Sequence, residues 1–109
     1  MVEPIFGFDW DAANREKCKR HGVRLEEIET ALRGPMRIFP DPEHSATETR
    51  YLGFGRTSVG RHVLVAFTYR TKAGHRFIRP ISARFMHAKE IKHYEAQTQD
   101  PRQTAATED

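Results

Sequence analysis

Arg61-His62-Val63-Leu64-Val65-Ala66-Phe67-Thr68-Tyr69-Arg70 decides the fold. Val63, Val65, Phe67 and Tyr69 fall on one side of a period-two pattern and Leu64 and Ala66 on the other, so the strand is apolar on both faces. Such a strand lies centrally in a sheet, with helices covering one side. Thr71-Lys72-Ala73-Gly74 turns the chain, and His75 to Ala83 returns as a partner strand. Pro80 removes one ladder donor from that return, which predicts an edge position or a bulge there. Upstream, Thr49 to Thr57 carries Tyr51, Leu52 and Phe54 and forms the preceding strand, joined through the Ser58-Val59-Gly60 turn.

Helices flank this β segment. After a short leading strand at Ile5 to Phe8, Asp9 or Asp11 caps a helix over Asp11 to His21, which stops at Gly22. Leu25, Ile28 and Leu32 share one face of a second helix, ended by Gly34-Pro35. Met36 to Phe39 is β-prone, and the two prolines in Pro40-Asp41-Pro42-Glu43-His44-Ser45 make that stretch a loop. A last helix begins near His87, with Ala88, Ile91 and Tyr94 or Glu95 as its stripe. The order predicts one α+β domain over residues 1–96: an antiparallel sheet of three to five strands with two N-terminal helices and one C-terminal helix packed on it. Residues 97–109 have no large apolar side chain and read as a disordered tail.

At 109 residues the chain has room for one core. No apolar run approaches the ~20 residues a bilayer needs, and no secretion signal precedes the domain. Cys18 has no partner for a disulfide, which suits a reducing compartment, with the cytoplasm the default. The net charge of +3 hides an uneven distribution: residues 50–94 hold ten Lys and Arg against one acid, between two flanks of net −3. A block this basic points to a polyanion, and nucleic acid leads.

The six histidines include no pair at metal-ligand spacing and no cysteine companion that completes a zinc shell, so no metal is expected. Gly53-Phe54-Gly55 lacks the rest of a dinucleotide fingerprint, and no cofactor is implied. RNA cleavage needs neither, because RNA carries its own nucleophile; general acid/base groups and fixed cations suffice. Arg79 and Arg84 are the best phosphate clamps. On an ideal strand they face oppositely, and a bulge at Pro80 or strand termination near Ala83 would bring them together. Ser82 can bond a phosphate or orient an arginine, and Tyr94 can donate a proton or stack on a base. Glu90 is either the base or the partner that fixes Arg84. Arg56, His62, Arg76 and Lys89 are further RNA contacts, and Cys18 reads as a small core residue.

Ile81-Ser82-Ala83-Arg84 followed by Glu90 and Tyr94-Glu95, together with Trp10-Asp11, Asn14, His21-Gly22-Val23, Asp41 and Glu48 to Arg50, resembles the BrnT family of type II toxins. The resemblance covers about residues 6–95 and marks a divergent branch, with Asn14 where many members have Lys and Cys18 where many have Asn. Arg24 stands where a Ser or Thr cap often follows, so the cap of the second helix must come from elsewhere or be missing. The resemblance implies a fold similar to RelE-type ribonucleases, metal-independent RNA cleavage, and a hetero-oligomer with a small BrnA-like antitoxin that also binds DNA. The rival reading is a non-catalytic module of the same fold that binds nucleic acid or protein.

Overall fold

The computed structural model describes residues 5–44 and 47–98. The elements run β1 (Gly7–Phe8), α1 (Ala12–Lys19), α2 (Leu25–Arg33), β2 (Arg37–Pro40), β3 (Tyr51–Arg56), β4 (His62–Lys72), β5 (His75–Phe85) and α3 (Ala88–Thr98). Of the tail expected over residues 97–109, Gln97 and Thr98 instead continue α3, and residues 99–109 lie outside the described residues. One sheet has the order β1-β5-β4-β3-β2, with β4 at its centre as its two-sided apolar pattern requires. Strands β2 to β5 are antiparallel to their neighbours, whereas β1 joins β5 in parallel, so the sheet is mixed. Two residues are too few to show a pairing direction in sequence; β1 takes its direction from its bonds to β5.

β4 and β5 form the longest ladder, closed by Ala73-Gly74, where Lys72 still pairs with His75. Both turn residues have positive φ, 51° and 79°, the backbone whose twist matches a two-residue hairpin. Alternation along β4 sorts the two faces. Val63, Val65 and Phe67 are fully buried, clustered with Cys18, Val23, Ile28, Ala31 and Ala83 beneath α1 and α2. Leu64 and Ala66 face the other way and are half-buried. α3 lies on that second face, where Tyr94 stacks on Phe54 with 5.3 Å between ring centroids. The helices therefore divide between both faces rather than covering one. On the core side, a Cβ at Gly53 would sit 2.6 Å from Met36 Sδ, so the link from α2 into β2 can lie directly on β3.

Pro80 sits in a bulge. Ala66 pairs with Ser82 and Phe67 with Pro80, which leaves Ile81 as the extra residue in β5. Pro80 is buried and β5 is flanked by β1 and β4, so the edge alternative does not hold. Proline suits the site because it brings no N–H that would need a partner there.

Asn14 ties the bulge to the start of α1. It is 4% exposed, and its Nδ2 donates to the carbonyls of Asp9 and Pro80, each at 2.9 Å. Its Oδ1 accepts from the Asp11 N–H while the Asp11 carboxylate accepts from the Asn14 N–H, a reciprocal capping box. α1 ends at Lys19, two residues before the expected stop, and Gly22 takes the left-handed conformation at φ 82°. At α2 the missing Ser or Thr cap is replaced by Glu27, whose carboxylate accepts from the Arg24 N–H at 2.9 Å. Replacing Asn14 by Ala removes the amide donor from the buried Pro80 carbonyl and leaves the Asp9 carbonyl only the longer bond from Arg79 Nη1 at 3.5 Å, and is expected to cost about 2–3 kcal/mol, read as a lower urea midpoint with unchanged slope.

Candidate active site

The extra residue in β5 changes which side chains share a face. Arg79 pairs with Thr68, Ser82 with Ala66 and Arg84 with Leu64. Thr68, Ala66 and Leu64 alternate on one side of β4, so Arg79, Ser82 and Arg84 all stand on the face opposite α1 and α2. Without the bulge, Arg79 would have pointed to the other side.

A groove of about 380 Å³ opens on this face. Leu52, Leu64 and Ala66 form its apolar floor, and Ser82 and Arg84 stand along β5. Lys17 reaches in from α1 beside β5 and His21 from the turn that follows it, and Asp41, His44 and Arg50 from the β2–β3 connection on the other side. A smaller hollow of about 220 Å³ shares Lys17, Arg50 and Ile81 with the groove and extends it to Arg79 and Arg70. Cations thus line a path from Arg84 to Arg79.

Carboxylates fix several of these cations. Arg84 Nη1 and Nη2 donate to the two Glu90 oxygens at 2.7 and 2.6 Å, a fork-to-fork pair. Glu90 also accepts from the His87 N–H at 3.1 Å, which anchors it to the start of α3. The Arg84 bonds, followed by the His87 N–H, hold the Glu90 carboxyl down at about 2, and the same bonds raise Arg84. Of the two roles open to Glu90, the geometry favours the partner that fixes Arg84, since so weak a base takes up little proton near neutrality. With side chains 39% and 28% exposed, the pair stabilises the fold only modestly; its main effect is to aim the guanidinium.

Arg79 is drawn toward α1, with Nη2 2.9 Å from Asp11 Oδ2 and Nη1 3.6 Å from Asp9 Oδ2. Lys72 Nζ reaches Asp9 Oδ1 at 2.8 Å, and Arg70 clasps Glu48 through Nε and Nη2. Asp11 and Glu48 are lowered by these contacts, the Asn14 N–H leading at Asp11 and Arg70 at Glu48. Acids from the first half of the chain therefore neutralise part of the basic block. Among the described residues, no group of three or more His, Cys, Asp or Glu is placed to hold a metal ion.

Residues 10–90 match the family described as ribonuclease toxin, BrnT, of type II toxin-antitoxin system. The chain belongs to the BrnT family. No curated protein matches it.

In this BrnT chain the other residues singled out from sequence fall away from the groove lining. Tyr94 stacks on Phe54 and lies 6.0 Å from Phe39, so its ring docks α3 onto the sheet. His62 stacks on the same Phe54 ring at 5.6 Å, and its buried Nε2 stands 3.8 Å from Glu95, beyond hydrogen-bonding reach. His62 and Arg56 line a separate hollow of about 770 Å³ by α2. That hollow is larger but holds neither Ser82 nor Arg84, and the reactive groups weigh more than size. Arg76 lies over the Tyr69 ring at 3.9 Å near the hairpin end, and Lys89 is exposed on α3. Cys18 is fully buried, and desolvation pushes its thiol up to about 11, as befits a core residue.

Lys17, His21, Asp41, His44 and Arg50 complete the groove and were not singled out as site residues in the sequence. They come from two segments that approach only through tertiary packing; a histidine three residues after an aspartate in the Asp41–His44 loop was the one local signal. Among the described residues no helix is long and apolar enough to cross a membrane. Glu90 ordinarily titrates near 4.5 and is held at about 2, so its contribution to stability is complete above 4.5 and is lost as the pH falls toward 2. Glu90→Gln is expected to flatten that part of the acid-unfolding curve, measured by circular dichroism against the wild type.

Proposed function

We propose that the chain is the toxin of a toxin–antitoxin pair and acts as a metal-independent endoribonuclease, cleaving RNA by attack of the 2′-hydroxyl on the adjacent phosphate. What carries this reading is the bulge at Ile81, which aligns Arg79, Ser82 and Arg84 on one face above the groove. Arg84 is the cation that meets the charge growing on the phosphorane, pre-aimed by Glu90 so that little reorganisation is needed during reaction. Ser82, two residues away on the same face, donates to a phosphate oxygen. Arg79 and Lys17 contact the backbone along the extension of the groove. Arg56, His62, Arg76 and Lys89 lie outside the groove lining, where they contact flanking RNA. A BrnA-like antitoxin inhibits by covering the groove in a hetero-oligomer, and both act in the cytoplasm.

The test is cleavage of single-stranded RNA by purified protein free of antitoxin, in chelator. Arg84→Ala is expected to reduce the rate by about 100- to 1,000-fold, and Ser82→Ala by about 10-fold. Arg56→Ala is expected to leave the rate within about 2-fold, because a flanking phosphate contact adds mainly salt-dependent affinity. Salt-sensitive binding without any product would replace this reading with that of a non-catalytic binding module.

A further inference from the structure

Resting on that reading, we infer that His44 is the general base of the reaction, with Asp41 as its positioning residue and His21 as the acid that protonates the leaving group. His44 and Asp41 belong to the loop that leaves β2, where Pro42–His44 forms a 3-10 turn. The His44 N–H donates to the Asp41 carbonyl at 3.2 Å, and the His44 ring Nδ1 meets Asp41 Oδ2 at 2.9 Å. The Asp41 N–H in turn donates to the Arg50 carbonyl at 2.9 Å, which pins the base of the loop beside β3. Backbone and side chain thus fix the aspartate relative to the imidazole.

The chemistry follows from the unequal exposure of the pair. The Asp41 side chain is 14% exposed and that of His44 is 62% exposed. A carboxylate on Nδ1 places the proton there and leaves the Nε2 lone pair free. Both residues line the groove that holds Ser82 and Arg84. His21 lines it too, from the turn just after α1, which packs beside β5, whereas His44 comes from beyond β3. An RNA strand crossing the floor between them meets an imidazole from each side. His44 Nε2 takes the 2′-hydroxyl proton, the 2′-oxygen bonds to phosphorus, the bond from phosphorus to the 5′-oxygen breaks, and that oxygen takes a proton from the His21 imidazolium. The products are a 2′,3′-cyclic phosphate and a 5′-hydroxyl, with charge and protons balanced.

The experiment measures single-turnover cleavage and RNA affinity of the full chain carrying His44→Ala, a substitution at an exposed position. The expected result is a fall in kcat of about 100-fold or more, unchanged affinity, and partial recovery with added imidazole. Asp41→Asn is expected to shift the His44 ring-nitrogen NMR signals toward the other tautomer and to lower kcat with KM held. His44→Ala cleaving at the wild-type rate would overturn the assignment while leaving the nuclease reading intact. Wild type as inactive as Arg84→Ala would overturn both.

Discussion

The side-chain amide of Asn14 holds the parts of the site in common alignment. One NH₂ group binds the carbonyl before α1 and the carbonyl at the bulge, while the oxygen on the same amide caps the helix. Helix start, strand irregularity and strand β1 are thereby fixed to one another across 66 residues of sequence. A hydrogen bond of this kind contributes only about 1 kcal/mol net, but leaving its partners buried and unpaired costs more. The arrangement is therefore specified chiefly by what the alternatives would leave unsatisfied. Lys17, one turn further along α1, reaches the groove as a consequence.

Charge is organised by the same corner of the molecule. Asp9 and Asp11 lie on either side of Trp10 and collect Lys72 and Arg79 from β4 and β5, while Glu48 collects Arg70. A block that is strongly basic in sequence thus becomes a surface in which some cations brace the fold and others face the groove. Trp10 adds an uncharged brace, its Nε1 donating to Glu29 of α2 at 2.7 Å.

The fold was legible because its signals are local. The two-sided apolar pattern of Val63 to Tyr69 placed β4 at the centre, Gly34-Pro35 ended α2 as expected, and Pro80 marked an irregularity that proved to be a bulge. The direction of β1 was not legible, because two residues carry no pairing pattern, and neither was the placement of α3 on the second face. For the site, Ser82, Arg84 and the pairing of Glu90 came from one contiguous motif. Asp41, His44 and His21 could not be joined to it from sequence, since their shared groove exists only once α1 and the β2–β3 connection have closed over the sheet. The packing of Tyr94 on Phe54 was not legible, because a tyrosine four residues after Glu90 has the same spacing whether it serves a substrate or packs a helix.

Strand β5 is effectively written in two reading frames that change at Ile81. Up to Pro80, odd-numbered residues look toward the groove; from Ser82 onward, even-numbered ones do. Straightening the ladder with Ile81 retained and paired to Ala66 would transpose one segment: Arg84 would be aimed at Val63 and Val65, and Ala83 and Phe85 would take over the groove face. The composition of the chain would not change, yet its chemistry would be addressed to the wrong side of the sheet. Which side chains line the groove is thus encoded as much in the parity of one strand as in the identity of its arginines.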